Sequence, residues 1–316
     1  MAPRALVTGS SGFVAGHIIR RLTTQGYEIT GLDIASPRGD FNGNVREVTL
    51  DIRDRERVNT LIKEIRPELV FHIAAQASVP ASMRDPRTDV ETNALATLEL
   101  AFNAAAAGSR RMIFISTGGA LHGELPPQEL PAKEASHVSP MSVYGASKAA
   151  AEIYLGVVTQ QTDLEVSILR PSNIYGPGQN PNAEAGVIAI VTRAMLRDEP
   201  VTLFGDGNQR RDYVYIDDTV DAILLAAEGP PDICNISTGI EVSTARVFET
   251  IADLTGYKRP ILIAEARPGD IQRISLEPTK AKRVWNWQPQ TSFEDGVALT
   301  IDWFRKEEAS ETPVKS

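Results

Sequence analysis

Tyr144 and Lys148 are the residues of this sequence whose types and spacing could together move a proton. In a helix, side chains four residues apart share a face, so the ammonium would lie beside the phenol and favour its ionised form. A free tyrosine has a pKa of ~10, and bringing it near 7 requires about 4 kcal/mol of preferential phenolate stabilisation. The spacing alone fits a tyrosine packed over a lysine stem equally well. The preceding elements must therefore decide between the two.

Composition excludes several classes of function. The chain has 316 residues, 42% hydrophobic and 23% charged, which suits one large domain or two modest ones. Its net charge of -9 argues against a nucleic-acid partner or a polybasic membrane anchor. We expect no disulfide and no metal, since Cys234 is the only cysteine and no cluster has ligand spacing. Without a secretory signal or a twenty-residue apolar run, a cytoplasmic location is expected.

A glycine-rich loop between a strand and a helix predicts a dinucleotide site. The apolar strand Ala5–Thr8 ends at Gly9 and Gly12, whose backbone amides could approach a diphosphate at a helix N-terminus. The next strand ends in Asp33, about twenty residues on, where a carboxylate would hold a ribose 2'-hydroxyl. Because that carboxylate would repel a 2'-phosphate, we predict NAD rather than NADP. The alternative is an ordinary turn aspartate.

Strands and helices alternate as far as Arg170, which predicts an α/β fold with a doubly wound, Rossmann-type parallel sheet. The regular alternation then fails in the turn-rich segment 170–181. We therefore predict an NAD-binding domain over residues 1–170 and a smaller α/β C-terminal lobe over residues 171–316 that binds the substrate. Some segments of the second part are expected to return to the first.

Two further features indicate a substrate site. Thr117 follows a strand at the edge where open α/β sheets bind ligands, so its hydroxyl could donate to a substrate oxygen. Arginines in two glycine-flanked loops, 205–213 and 266–270, suggest a second diphosphate, although solvated loop arginines are equally compatible. For His72 we favour a structural role at a strand end over a chemical one.

Taken together, these stretches resemble the extended short-chain dehydrogenase/reductase family, and within it the NAD-dependent epimerases and dehydratases of the UDP-glucose 4-epimerase type. The likeness runs from Ala5 to about Phe304. The matching motifs, in chain order, are Thr8-Gly-Ser-Ser-Gly-Phe-Val, Asp33, Asp51-Ile52, His72-Ile-Ala-Ala-Gln, Asn93, Ser116-Thr117, Tyr144-x-x-x-Lys148, Arg170-Pro-Ser-Asn-Ile-Tyr-Gly-Pro, Arg211-Asp-Tyr and Arg267-Pro-Gly-Asp270.

The resemblance implies a role for each matching position. The implied catalytic residues are Thr117, Tyr144 and Lys148. The implied NAD-binding residues are Gly9, Gly12, Phe13, Val14, Asp33, Asp51, Ile52, Ala74, Ala75, Gln76, Asn93, Ser116, Tyr144, Lys148 and Pro171. The residues implied to hold the sugar nucleotide are Ser78, Thr117, Tyr144, Asn173, Thr202, Phe204, Arg211, Arg267 and Asp270.

This sequence departs from the family pattern at three places. Ala15 replaces the third glycine of the fingerprint, and the close packing of the helix should accept it. His122 replaces the tyrosine usual before Gly123, which leaves its role open. Counting back from Gly123 puts the family's catalytic hydroxyl position on Gly118, whereas counting forward from the strand gives Thr117. We prefer the strand count, with Ser116 as the second choice.

The function that the resemblance implies is NAD-dependent epimerisation of a UDP-sugar at C4 through a transient 4-keto intermediate, an isomerase reaction of the UDP-glucose/UDP-galactose type. UDP-glucuronate and UDP-N-acetylhexosamines are also possible substrates. In the family, the position of Ile274 influences the space around the C2 substituent of the sugar, and isoleucine is neither the large nor the small residue that would decide between them. Ser78, Ser82 and Ser116 could serve a uronate. Dehydratases and decarboxylases of the family carry acids where this chain has Gly118 and Gly119. A net reductase and a catalytically silent NAD-binding protein are also compatible with the sequence.

A homodimer is the expected assembly. The helix around 144–160 is rich in small residues that permit close approach between helices, and we expect it to form the interface with the helix around 93–107. Packing within one chain would explain the same composition.

Overall fold

The computed structural model describes residues 2–36, 45–182, 186–266 and 271–311. The strands in chain order are β1 (Arg4–Thr8), β2 (Glu28–Asp33), β3 (Val45–Thr49), β4 (Leu69–His72), β5 (Arg111–Ile115), β6 (Glu165–Pro171), β7 (Asn173–Tyr175), β8 (Thr202–Phe204), β9 (Arg210–Tyr215), β10 (Ile233–Ile236), β11 (Glu241–Ser243), β12 (Leu262–Ala264) and β13 (Arg273–Ile274).

The helices in chain order are α1 (Phe13–Thr24), α2 (Arg55–Ile65), α3 (Val79–Arg84), α4 (Pro86–Val90), α5 (Ala96–Ala106), α6 (Val143–Gln161), α7 (Val187–Leu196), α8 (Ile216–Glu228), α9 (Thr244–Thr255), α10 (Thr279–Trp285) and α11 (Phe293–Glu311). A π-helical turn, Glu91–Leu95, joins α4 to α5. Within the described residues, no helix is long and apolar enough to cross a membrane.

A seven-stranded parallel sheet in the order β10-β6-β5-β4-β1-β2-β3 confirms the predicted doubly wound fold. Its central strands β1, β4 and β5 are short, largely apolar runs buried on both faces, as expected when helices cover a parallel sheet. From β1 the chain proceeds to β2 and β3 on one side and to β4 and β5 on the other. Ligands bind at such a reversal point, beyond the carboxyl ends of the strands.

Two groups of helices cover the sheet. On one face, Ile18, Ile19 and Leu22 of α1 pack with side chains of α8. The other face carries α2, α5 and α6, with Leu100 and Leu155 fully buried. Each such side chain contributes about 1.5–3 kcal/mol by leaving water. The sheet is therefore held rigidly beneath the loops at its carboxyl edge.

The seventh strand comes from the C-terminal half of the chain. β10 pairs in parallel with β6, in the register Ile233↔Ile168 to Ile236↔Pro171. The apolar residues Ile233, Cys234 and Ile236 suit this position. The chain therefore crosses back over the proposed division at residue 170, and the division itself stays a prediction.

A smaller mixed sheet lies in the C-terminal half. β9 pairs with β7, β11 and β13, and β8 pairs separately with β12. The pairing places Asn173 opposite Tyr213, and Arg211 opposite both Val242 and Ile274. Two residues predicted to hold the substrate, Asn173 and Arg211, are thus carried on paired strands.

Candidate active site

The loop after β1 has the geometry of a diphosphate cradle. Gly9 has φ +72°, and a Cβ there would lie 2.8 Å from the backbone nitrogen of Ala74. The amide of Gly12 donates to the Gly9 carbonyl oxygen at 2.8 Å. Gly12 is also the N-cap of α1, so no side chain occupies the helix amides, and the first turn carries no acid. These residues fit a dinucleotide diphosphate at the helix N-terminus.

Asp33 lies beside this loop at the end of β2. Its carboxylate accepts hydrogen bonds from the amides of Ser11 at 3.0 Å and Ala35 at 2.9 Å. Ala15 is completely buried against the sheet, which confirms that the packing accepts it in place of glycine. An adenosine ribose beside the loop would meet a fixed negative charge at Asp33.

Asp51 and Ile52 follow β3, next to Asp33, whose carbonyl oxygen accepts from the amide of Leu50 at 2.8 Å. Ile52 is buried, whereas the half-exposed Asp51 carboxylate binds the Arg53 guanidinium. The hydrogen bond from Arg53 lowers the pKa of Asp51. Both residues lie at the sheet edge where an adenine is expected.

The segment after β4 is tied to the π-helical turn. Asn93 accepts from the Gln76 amide at 2.9 Å and donates to the Gln76 carbonyl oxygen at 2.9 Å. The extra residue of the π turn widens the helix at Asn93, at the start of the helix predicted around 93–107. Such bulges are frequent at functional sites. Asn93 thereby fixes residues 74–76 opposite the glycine loop.

His72 is structural, as we favoured from the sequence, although its partners are hydroxyls rather than backbone. Nδ1 lies 2.8 Å from Oγ1 of Thr8, and Nε2 lies 2.8 Å from Oγ1 of Thr97. Thr8 accepts from the Ala74 amide, and Thr97 donates to the Asn93 carbonyl oxygen. Thr8 must therefore donate to Nδ1, while Nε2 donates to Thr97. Burial first, and the Lys148 charge second, lower the pKa of His72 to about 3.

The N-terminus of α6 positions Tyr144. Ser142 caps the helix by accepting from the Gly145 amide at 3.1 Å, and Ser82 accepts from the Tyr144 amide at 3.1 Å. A Cβ on Gly145 would overlap the carbonyl oxygen of Ala120. Glycine there lets α6 approach the loop that follows Thr117.

Thr117 is the hydroxyl that reaches Tyr144. Burial raises the pKa of Tyr144, and a hydrogen bond with the Thr117 side chain offsets part of that rise. The Ser116 hydroxyl donates instead to the buried Glu152 carboxylate. Gly118 points elsewhere, since a Cβ there would overlap Leu276. Thr117 is therefore the hydroxyl beside the phenol, and its catalytic role stays a prediction.

Burial dominates the ionisation of the pair. It raises the pKa of Tyr144 to about 12, outweighing the Thr117 hydrogen bond. It also lowers the pKa of Lys148 to about 7, although Glu152 and Asp89 raise it. The Lys148 ammonium lies 4.1 Å from the ring centroid of Phe114, a cation–π contact. The chain alone thus holds the phenol protonated, which leaves any lowering of its pKa to a further charge such as that of a bound cofactor.

A cavity of about 400 Å³ opens beside Tyr144. Its lining includes Thr117, Gly119 and Tyr144 together with Asn173 and Arg211, whereas Lys148 is buried behind it. Thr202 and Phe204 lie on β8, outside this lining, with Leu203 facing the core between them. The predicted substrate residues Arg267 and Asp270 lie outside the described residues. In the part of the chain that the structure describes, no group of three or more histidine, cysteine, aspartate or glutamate side chains could hold a metal.

Comparisons with known proteins identify the family. Residues 5–237 match the model of the NAD dependent epimerase/dehydratase family. The chain belongs to this family.

A similar relative is a UDP-glucose 4-epimerase of Mycolicibacterium smegmatis, 38% identical over 96% of this chain and 98% of that protein. A solved structure of UDP-glucose 4-epimerase from Thermotoga maritima with UDP-glucose is 39% identical, with a TM-score of 0.93 and coverage of 96% and 99%. A Thermus thermophilus UDP-glucose 4-epimerase in complex with NAD is 40% identical, with a TM-score of 0.89 and the same coverage. The cofactor of the family is NAD, as the glycine loop and Asp33 predicted.

In this epimerase/dehydratase chain, His122 does not line the cavity. It is buried, its Nδ1 donates to the His137 carbonyl oxygen at 3.0 Å, and burial lowers its pKa. Of the serines considered as donors to a uronate, Ser82 donates to the Val79 carbonyl oxygen and Ser116 donates to Glu152. Those two hydroxyls are therefore used within the protein.

Sequence reasoning missed a layer of buried charges beneath the site. Glu152 pairs with Arg170, whose Nε and Nη2 lie 3.0 Å and 2.5 Å from the carboxylate oxygens. Asp89 is completely buried beside Asn93. Glu152 lies four residues after Lys148, and Asp89 four residues before Asn93, so helical spacing was the available signal.

Proposed function

We propose that this chain interconverts UDP-glucose and UDP-galactose by NAD-dependent inversion at C4, as an isomerase. The observation that carries the proposal is a cavity lined by Thr117 and Tyr144 together with Asn173 and Arg211, with Lys148 buried four residues after Tyr144 on α6. The similarity to UDP-glucose 4-epimerases over nearly the whole chain supports it.

In the proposed reaction, Tyr144 accepts the proton of the C4 hydroxyl as the C4 hydride leaves, and it returns the proton to the same oxygen when hydride comes back to the other face of C4. Thr117 hydrogen-bonds the same oxygen, and the Lys148 charge favours the phenolate. NAD, when bound, supplies a hydride acceptor and a positive ring charge of the sign that lowers the pKa of Tyr144. Arg211 and Arg267 would retain the 4-keto sugar by its diphosphate while it turns. Asp270 would contact another part of the sugar nucleotide.

The remaining site residues take proposed roles by position. Gly9, Gly12, Phe13 and Val14 would hold the cofactor diphosphate, and Asp33 its ribose. The adenine would be flanked by Asp51 and Ile52, and the rest of the cofactor by Ala74, Ala75, Gln76, Asn93, Ser116 and Pro171. Ser78 and Asn173 would contact the sugar nucleotide, and Thr202 and Phe204 would lie against uracil.

The loop after Thr117 favours epimerisation over elimination. A Cβ on Gly118 would overlap Leu276, and one on Gly119 would lie 3.4 Å from Oδ1 of Asn173. A side chain at Gly118 would therefore require Leu276 to move, whereas one at Gly119 would make an ordinary contact. The chain lacks the acids that dehydratases and decarboxylases of the family carry at these positions. Because Ser82 and Ser116 are occupied, the neutral sugar is preferred over the uronate.

An NMR time course on the purified protein with UDP-glucose and no added reductant tests the proposal. We expect the C4 epimer to accumulate to equilibrium. Parallel incubations with UDP-glucuronate and UDP-N-acetylglucosamine test the two competing sugars, while loss of carbon dioxide or consumption of NADH would reveal a decarboxylase or a reductase. Tyr144→Phe is the control, since an unchanged rate in that variant would remove Tyr144 from the chemistry. A protein that binds NAD but never inverts C4 would be catalytically silent.

We also propose a homodimer through α5, α6 and the π-helical turn between α4 and α5. This face exposes large apolar side chains, namely Leu95, Phe102, Ile153, Tyr154 and Val157. Exposed apolar patches of this kind mark interaction surfaces. A cytoplasmic location is proposed with it, since the buried thiol of Cys234 is unpaired.

A further inference from the structure

Asp89 is a completely buried carboxylate close behind the catalytic pair. It lies on α4 and accepts hydrogen bonds from three neutral groups. These are Nε2 of Gln76 at 2.8 Å, Nδ2 of Asn93 at 3.1 Å and Oγ of Ser147 at 2.6 Å. Ser147 directly precedes Lys148 on α6. A charge that is fully removed from water and bonded only to neutral donors requires a counter-charge nearby.

Glu152, the other buried carboxylate near Lys148, already has its counter-charge. It accepts from Nε and Nη2 of Arg170 and from the Ser116 hydroxyl. Its charge is therefore largely neutralised within the Arg170 pair. Among the salt bridges of the described residues, by contrast, none includes Asp89.

Among the basic residues near Asp89, Lys148 is the one that is both buried and able to carry a positive charge. On the neighbouring surface, Arg87 is exposed and pairs with Glu91, and Arg84 at the end of α3 is exposed as well. On α6, Lys148 is 2% exposed. The buried His72 is neutral at ordinary pH because its pKa is about 3.

Lys148 in turn has a limited set of neighbours that can keep it charged. Its ammonium lies over the Phe114 ring, and no salt bridge of the described residues includes it. Burial lowers its pKa to about 7, and only Glu152 and Asp89 oppose that shift. Because the Arg170 guanidinium compensates the charge of Glu152, Asp89 is the nearby carboxylate whose negative charge has no other cationic partner among the described salt bridges.

We propose that Asp89 is a positioning residue that supplies the buried counter-charge for Lys148 and keeps its ammonium charged beneath Tyr144. The inference rests on the proposed function only in that Lys148 assists Tyr144 in the reaction. It adds an aspartate from α4 to a pair carried by α6. The hydrogen bonds from Gln76, Asn93 and Ser147 hold that carboxylate in place.

Removing the negative charge of Asp89 should change the pKa of Lys148 in one direction only. Without it, the pKa of Lys148 falls further below its ordinary value, and fewer molecules carry the ammonium near neutral pH. A fall from about 7 to about 6 would reduce the charged fraction at pH 7 about fivefold. Asp89 also raises the pKa of Tyr144 slightly, so the lysine must be observed directly.

Two variants separate charge from hydrogen bonding. Asp89→Asn removes the charge and keeps the shape of the side chain. Ser147→Ala removes the shortest hydrogen bond to Asp89 and keeps the charge. Both are made in a Tyr144→Phe background, so that a second titrating group does not couple to the lysine.

The experiment is an NMR titration of protein labelled with ¹³C at lysine Cε, with the Lys148 signal assigned by its absence in a Lys148→Met variant. We expect the Lys148 pKa to fall by about one unit or more in the Asp89→Asn variant and to stay unchanged in the Ser147→Ala variant. An unchanged Lys148 pKa in Asp89→Asn, or an equal fall in both variants, would overturn the proposal. The titration does not depend on the substrate, so failure of the epimerase assay is a separate result.

If Asp89→Asn alone does not fold, the double variant Asp89→Asn/Lys148→Met tests whether Asp89 and Lys148 compensate each other's charge. A counter-charge pair predicts that the double variant unfolds at a higher urea concentration than either single variant, because it buries no unpaired charge. A double variant no more stable than Asp89→Asn would contradict the pairing. In folded Asp89→Asn protein loaded with NAD, kcat at pH 7 should fall about fivefold with little change in KM.

Discussion

At the scale of single residues, the balance of burial and charge around Tyr144 and Lys148 decides what the pair can do. Burial keeps the phenol protonated, with a pKa of about 12, and brings the lysine close to losing its proton, with a pKa of about 7. Neither direction follows from the spacing of the two residues. The phenol therefore depends on a further positive charge to become a base at neutral pH, and the ring of bound NAD would supply a charge of the required sign.

The first prediction distinguishes the two neighbouring hydroxyls. Thr117→Val should lower kcat by about 10²–10³-fold, because it removes a donor aimed at the developing charge on the C4 oxygen. Ser116→Ala should leave kcat within a few-fold but destabilise the fold by about 1–3 kcal/mol, since Glu152 loses a buried donor. Steady-state kinetics and urea unfolding of both variants check this. A larger loss of kcat in Ser116→Ala would reverse the assignment.

The second prediction concerns His72 and acid. Its pKa is lowered to about 3 from 6.5, so the unfolded chain binds a proton between these values while the folded chain does not. The buried neutral imidazole therefore contributes its full share to the free energy of unfolding above pH 6.5, and this contribution is lost as the pH falls toward 3. Relative to His72→Gln, which keeps a donor and an acceptor, the parent protein should lose about 1.4 kcal/mol per pH unit in this window. Urea unfolding at pH 6.5, 5.5 and 4.5 measures the difference, and parallel curves would contradict it.

At the scale of elements, α6 brings the site together. Its first turn is fixed by Ser82 and Ser142, and its face carries Tyr144, Lys148 and Glu152 at four-residue spacing. The buried pair of Glu152 with Arg170 ties this helix to β6, and the Ser116 hydroxyl ties it to the end of β5. The helix therefore sets the distance between Thr117 and Tyr144.

The third prediction concerns this buried pair. Arg170→Met should destabilise the protein by about 3–5 kcal/mol, because it leaves the Glu152 carboxylate buried and uncompensated. The double variant Glu152→Leu/Arg170→Met should recover much of that loss, since it leaves no charge behind. Urea unfolding of the single and double variants measures the coupling. A double variant less stable than Arg170→Met would show that the pair stabilises by more than mutual compensation.

At the scale of the whole molecule, Asp212 joins the C-terminal half to the sheet. Its buried carboxylate accepts from the hydroxyl of Ser172, the amide and hydroxyl of Thr238, and the amides of Gly239 and Leu276. Burial raises its pKa in spite of these bonds. Asp212 follows Arg211 on β9. The contacts of Asp212 therefore also fix the position of Arg211, which is proposed to bind the diphosphate of the substrate.

The fourth prediction tests the proposed dimer. Ile153, 69% exposed on α6, should lie in the interface, so Ile153→Glu should bury a charge there and yield monomers. Ile263 on β12, 68% exposed, provides the matched control, and Ile263→Glu should leave the assembly unchanged. Sedimentation velocity over a concentration series measures both. Monomers in the parent protein, or dissociation by the Ile263 variant, would contradict the interface.

The parallel sheet and the NAD cofactor could be predicted from the sequence alone, as could the placement of Tyr144 and Lys148 one turn apart on a helix. These features depend on local periodicity and on short motifs, which a single segment of chain carries. Tertiary structure decided that Thr117, rather than Ser116 or Gly118, reaches Tyr144, because strand direction and the collision with Leu276 fix where each points. It also decided that β10 completes the sheet and that Asp89, Glu152 and Arg170 form a charged layer beneath the site. Those contacts join residues far apart in the chain, and burial gives them their strength.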